Sequence, residues 1–140
     1  MDTTTFFKIA NNTAMLGWLL LLIVPKWKYT IPTVVSFIIF FLSISYTFII
    51  IKALPFIKAD VFSSLDTIRN LFANDTALLA GWIHYLAFDL FVGVYIIKEA
   101  HKFEINRLIV TFLLPLTFLF GPIGYVAFQI IKTIKMLVKK

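Results

Sequence analysis

Four apolar runs of roughly twenty residues dominate the chain, and a run of that length is what an α-helix needs to cross a hydrocarbon layer about 30 Å thick. Lipid offers backbone groups no water to bond, so such runs must be helical. The runs lie at about residues 6–24, 31–54, 76–98 and 107–131. A fifth stretch, about residues 56–72, spaces Phe56, Ile57, Val61, Phe62, Leu65, Ile68, Leu71 and Phe72 three or four apart among Lys58, Asp60, Asp66 and Arg69. That pattern describes an amphipathic helix in the membrane interface. The expected fold class is therefore all-α: one domain over residues 1–140, an integral membrane bundle of four transmembrane helices plus one interfacial amphipathic helix.

The boundaries have local causes. Pro25 stops the first run, with Trp27 between Lys26 and Lys28 as an interfacial anchor. The second run carries Pro32 in its first turn, where a missing N–H matters little, and closes at Pro55. Only about six residues separate these two runs, so their helices should be antiparallel neighbours. Asn74-Asp75-Thr76 is a capping cluster for the third, which ends at Lys98-Glu99-Ala100-His101-Lys102. Pro115 and Gly121-Pro122-Ile123-Gly124 interrupt the fourth. The first run lacks a small-residue cleavage site, so a retained helix is expected rather than a cleaved signal peptide.

Composition excludes several classes of function. With 61% hydrophobic and only 14% charged residues, the chain cannot cover a soluble surface, and membrane lipid is its first partner. It contains no cysteine, which removes disulfides, thiolate nucleophiles and Cys-based metal sites. The net charge of +6 sits at run ends as membrane anchors do, so nucleic acid is not expected as a partner. Four spans would place Lys8, Lys52, Lys58, Arg69, Lys132, Lys135, Lys139 and Lys140 on one side, against Lys26, Lys28, Lys98, Lys102 and Arg107 on the other. Eight against five favours a multi-pass protein with both termini cytoplasmic.

The third run holds the chemistry. Asp89 lies about 20 Å along the rise from Thr76, near mid-bilayer, where a carboxylate must be protonated, paired or hydrated. At about 100° per residue, Trp82, Tyr85, Asp89, Gly93 and Ile96 share one helix face, and His84, Phe91 and Tyr95 the opposite one. Tyr85, one turn before Asp89, is its nearest local donor, and Gly93 one turn on leaves room for a neighbouring helix or a ligand. Asp89 can equally be interhelical glue, bonded to Asn11, Asn12, Ser43, Ser45, Tyr46 or Thr47. No metal site is expected: His84 and Glu99 stand about 22 Å apart along the helix. In the last run, Pro115 and Pro122 withdraw donors from the carbonyls of Thr111 and Phe118, giving either a packed kink or a broken helix beside Asp89.

Three motifs carry a resemblance. Gly17-Trp18-Leu-Leu-Leu-Leu-Ile-Val-Pro25, Leu79-Ala-Gly-Trp-Ile-His-Tyr-Leu-Ala-Phe-Asp-Leu-Phe-Val-Gly93 and Phe120-Gly-Pro-Ile-Gly124 resemble, in order and spacing, the neoxanthin-synthase-like family, the abscisic-acid-deficient type of plants and its short bacterial relatives. The resemblance covers nearly the whole chain and implies a four-span membrane protein, in plants required to turn violaxanthin into an allenic xanthophyll. It carries over Trp82, His84, Asp89, Leu90, Phe91, Gly93, Gly121, Pro122 and Gly124, with Glu99 as the acidic equivalent after a departure at Val94-Tyr95-Ile96-Ile97-Lys98. The richness in Ile, Lys and Phe looks bacterial, which points to an inner membrane.

The first reading is thus an intramolecular isomerase acting on, or assisting conversion of, a xanthophyll-like isoprenoid. Opening an epoxide to an allenic alcohol is redox neutral, needing an acid for the oxygen and a base for a polyene proton but no cofactor. Asp89 is the candidate acid, His84 the candidate base and Tyr85 their neighbour, while Trp82, Gly93, Glu99, Asn11, Asn12, Gly121, Pro122 and Gly124 are candidate ligand contacts. Carotenoid-pathway enzymes or further copies of the chain are possible partners. A second reading is a non-catalytic membrane module binding lipid or partner membrane proteins, and a third a small oligomeric transporter.

Overall fold

The structure, a computed structural model, describes residues 2–138 apart from the Phe56 side chain. Among the described residues every regular element is helical. Helix α1 (Thr3–Ile23) starts where the Asp2 carboxylate accepts the Thr5 N–H at 3.1 Å, and ends just before Pro25. A tight loop follows, closed by the buried Thr30 hydroxyl donating to the Val24 carbonyl at 2.5 Å. The next run is one continuous rod, Thr30–Ala53: α2 (Thr30–Thr33), a π-helical stretch (Val34–Ile39) and α3 (Phe40–Ala53). The π stretch has no signal in the sequence, but the rod's ends fall within a residue of those expected.

The amphipathic helix expected over residues 56–72 is shorter than its hydrophobic spacing suggests. Helix α4 covers only Leu65–Phe72, preceded by a 3-10 turn at Leu54–Phe56 and then by turns and bends. The reason is Ser64: its hydroxyl accepts the Thr67 N–H at 3.2 Å while its own N–H donates to the Thr67 hydroxyl at 3.3 Å, a reciprocal cap that starts the helix there. Phe72 then rests on Gly81, where a Cβ would come within 2.7 Å of its ring.

Helix α5 (Asp75–Lys102) is the axis of the molecule. Asn74 caps it, its side-chain oxygen accepting the Thr76 and Ala77 N–H groups at 3.0 and 3.1 Å. Half of its apolar window is buried, against 28% for each of the other two long helices, as a central span with polar groups on both faces requires. Glycines set its contact with α1: a Cβ on Gly17 would lie 2.6 Å from Leu90, and one on Gly93 would lie 2.8 Å from the buried Trp18 ring. Residues ascend together in these pairs, so α1 and α5 run parallel, with α2–α3 antiparallel to both.

The fourth run is not one span. Helix α6 (Arg107–Leu119) passes through Pro115 without ending, whereas Gly121-Pro122 does end it: Phe120 leaves helical geometry at φ −144° and ψ 66°, and α7 (Gly121–Val138) begins beyond it. The chain then doubles back. Tyr125 and Phe128 of α7 meet Tyr95, with ring centroids 5.9 and 6.1 Å apart, and Lys132 forms an ion pair with Glu99. Helix α7 therefore climbs alongside α5 while α6 descends, and the two form an antiparallel hairpin whose tip stops at the level of Asp89.

The hairpin is close because Gly124 has no side chain. A Cβ there would come within 2.6 Å of the Thr117 Cα and overlap its hydroxyl, which is tied to the Leu113 carbonyl at 2.8 Å. Three helices are long and apolar enough to cross a membrane: Thr3–Ile23, Thr30–Ala53 and Asp75–Lys102. The run expected as one helix over residues 107–131 is instead two helices, α6 and α7, that turn back on one another at Phe120. Val138 lies at the opposite end of the bundle from Thr3; Lys139 and Lys140, counted above with the basic tail, lie outside the described residues.

Candidate functional site at the helix break

The break between α6 and α7 and the middle of α5 meet at Asp89. Its side chain is buried, at 8% exposure, and its Oδ2 has no hydrogen-bond partner among the described residues. The carboxyl group lies directly against Gly121, whose backbone N–H faces it at the first turn of α7. A helix N-terminus presents unpaired N–H groups and the positive end of the helix dipole, so it suits an acidic side chain. Pro122 and Gly121 are thus needed for different reasons, one to force the new helix start and the other to let it touch Asp89.

Tyr85 sits one turn below. Its hydroxyl donates to the Phe118 and Leu119 carbonyls, at 3.3 Å each. Phe118 is the carbonyl that Pro122 deprives of its helical donor, so the orphan acceptor foreseen in the sequence is met by this tyrosine. The Tyr85 hydroxyl is shared between two long bonds, which leaves it easily redirected.

The other predicted residues separate. Trp82 donates its ring N–H to the Asn11 side-chain oxygen at 2.8 Å and stands between Phe7 and Tyr85, at centroid distances of 5.9 and 5.3 Å. Asn12 is exposed on α1, one position on from that contact. Gly93 is filled by Trp18, and Gly124 by Thr117. His84 faces away from Asp89, as the helical phase requires: it stacks on Phe88 at 4.5 Å and lies 5.5 Å from Tyr46 of α3. Of the polar residues offered as glue for Asp89, Asn11 serves Trp82 and Thr47 donates back to the Ser43 carbonyl at 2.9 Å.

Glu99 belongs to a second polar group that pins α7 to α5. It pairs with Lys132, whose ammonium also lies 3.4 Å from the Tyr95 hydroxyl and 4.8 Å above the Phe103 ring. Gln129 joins the same group, donating to the Tyr125 hydroxyl at 2.6 Å and to that of Tyr95 at 3.4 Å. Sequence reading missed Tyr125, Gln129 and Lys132; their spacing of three and four residues was the available signal. No group of three or more His, Asp or Glu side chains able to hold a metal ion occurs among the described residues.

Fold and site together define an all-helical protein with three membrane-length helices and a broken helical hairpin that sets a buried carboxyl against a helix start. The model of the ABA DEFICIENT 4-like family matches residues 5–128, a range that includes α1, α5, the break and Asp89. The chain belongs to that family. No curated protein and no solved structure matches it.

Proposed function

We propose that this is an integral membrane protein in which α1, the Thr30–Ala53 rod and α5 span the bilayer, α6 and α7 form a re-entrant hairpin, and α4 lies in the interface. In this arrangement the N-terminal side holds Lys8, Lys52, Lys58 and Arg69, and the other side holds Lys26, Lys28, Lys98, Lys102, Arg107, Lys132 and Lys135. The excess of positive charge then favours an outside N-terminus and a cytoplasmic C-terminus. The orientation is opposite, at the N-terminus, to that expected from four spans.

The activity we infer is a redox-neutral isomerisation of an oxygenated, carotenoid-like isoprenoid. The observation that carries it is Asp89: a buried carboxyl midway along a membrane-length helix, with one oxygen unpartnered among the described residues, beside an interrupted helix. In its protonated form Asp89 delivers its proton to an epoxide oxygen as the ring C–O bond breaks. The resulting carboxylate removes the proton of the adjacent polyene carbon, whose C–H electron pair becomes the second cumulated double bond. The proton lost equals the proton given, so no oxidant, reductant or cofactor enters the balance. One carboxyl can serve both steps in turn, which frees the reaction from needing His84 on the far face. Membership of the family supports the substrate class.

Pigments extracted from a xanthophyll-producing host expressing the chain would decide the matter: a new isomer of unchanged mass is the expected result, and an unaltered profile with folded protein present would refute the activity. The fit of Gly121 to Asp89 favours a second reading, a non-catalytic module in which the carboxyl only locks the hairpin. On that reading Asp89→Asn lowers the amount of folded protein and alters no pigment.

A further inference from the structure

Beyond the hairpin tip, the seam toward the N-terminal end of the bundle is lined by α1 and α5. Two adjoining cavities of about 360 Å³ each lie there and share Trp82. The upper one reaches Leu119 at the hairpin tip, and the lower one opens beside Asp75 at the start of α5. Ten residues separate Asp75 from Tyr85, which makes the groove about 15 Å long, or half the hydrocarbon thickness. Its wall is a ladder of three rings, Phe7, Trp82 and Tyr85, with successive planes tilted by 33° and 34°.

Its upper end is polar. Asn11 gives its side-chain oxygen to Trp82, and no partner among the described residues takes its amide NH₂ group. The Tyr85 side chain lines the same cavity, its hydroxyl bonded to the Phe118 and Leu119 carbonyls of the hairpin tip and facing the Asp89 carboxyl. An apolar, ring-walled slot that ends in a free amide donor and a phenolic hydroxyl held by long, exchangeable bonds is suited to a flat hydrocarbon chain with an oxygen on its end group.

We propose that this groove is a lateral binding site, opening to one leaflet, for the oxygenated end group and adjoining conjugated chain of a linear isoprenoid, with Asn11 and Tyr85 as the residues that read the end-group oxygen. The proposal takes its ligand class from the activity inferred above and adds the place, direction and polar contacts of binding. Entry is from the lipid rather than from water, since the exposed walls include Phe7, Met15, Leu78 and Leu119. The end group arrives beneath the helix break, one turn from Asp89.

Trp82 supplies the readout, because conjugated polyenes quench indole fluorescence at short range. In nanodiscs of dioleoyl phosphatidylcholine titrated with a dihydroxy carotenoid, the wild-type protein should show saturable quenching. Trp82→Phe should lose most of the saturable part. Met15→Trp, which fills the groove, should weaken binding at least tenfold, and Ile134→Trp on the exposed face of α7 should leave it unchanged. Quenching that never saturates, or equal affinity in Met15→Trp and wild type, would overturn the site. Saturable binding without any pigment conversion would uphold the site and sink the isomerase reading, whereas full conversion by Met15→Trp would sink the site alone.

Discussion

The carboxyl group of Asp89 fills the volume that a Cβ at position 121 would occupy, placing its Cγ 2.6 Å from that virtual atom. Residues more than thirty positions apart are therefore matched in shape as well as in charge. Adding the methyl group in Gly121→Ala must push the hairpin tip off α5, an overpacking cost of about 1–3 kcal/mol. Thermal unfolding in detergent should show the loss. The double variant Asp89→Ala/Gly121→Ala should recover much of it, because the first change removes the atoms that the second collides with. Simple additivity of the two effects would mean that the contact does not decide the hairpin's position.

Asp89 can be tested separately for chemistry. Asp89→Asn keeps the shape and the acceptor that faces the Gly121 N–H but removes the transferable proton. Conversion should fall by about 10²–10⁴-fold with folded protein retained. Asp89→Leu leaves that N–H unmet and should lower the folded yield as well. His84→Ala, on the opposite face and exposed, should leave stability within about 0.5 kcal/mol and conversion intact. An inactive His84→Ala with a normal melting curve would return the histidine to the mechanism.

These residues also show what a linear reading can and cannot give. The split of Asp89 and His84 onto two faces followed from helical phase alone. The end of α1 at Pro25, the cap at Asn74 and the orphaned Phe118 carbonyl were equally legible, because each is set by atoms within four residues. The reversal at Phe120 was not. An apolar run of some twenty-five residues has the same hydropathy whether it crosses once or enters and returns, and Gly121-Pro122 marks a break without giving its angle. The angle is fixed by distant contacts: Thr117 on Gly124, Tyr125 on Tyr95 and Lys132 on Glu99.

The last of those contacts is itself testable. Glu99 and Lys132 pair with both side chains largely covered, the ammonium lying over the Phe103 ring. Removing one charge strands the other, so Glu99→Gln and Lys132→Gln should each lower the melting temperature by a few degrees. The swap Glu99→Lys/Lys132→Glu should restore part of the loss, since it re-forms the pair in reverse. Equal damage from the swap and from the single changes would show that α7 is held by Tyr95, Tyr125 and Phe128 without help from the pair.

The proposed topology has an odd number of crossings, and this is its sharpest difference from a four-span chain. With no native cysteine, single-cysteine variants report sidedness without background. Cysteines at Asp2 and Lys58 should react with an impermeant maleimide from one side of the membrane, and cysteines at Lys28 and Lys135 from the other. The basic end, with Lys26, Lys28, Lys98, Lys102, Arg107, Lys132 and Lys135, should be the cytoplasmic one. Cysteines at Leu119 and Phe120 should resist labelling from both sides, because the tip stops at mid-depth. If Lys135 and Asp2 label from the same side, α6 and α7 together cross the bilayer, and the hairpin is not the membrane form of the protein.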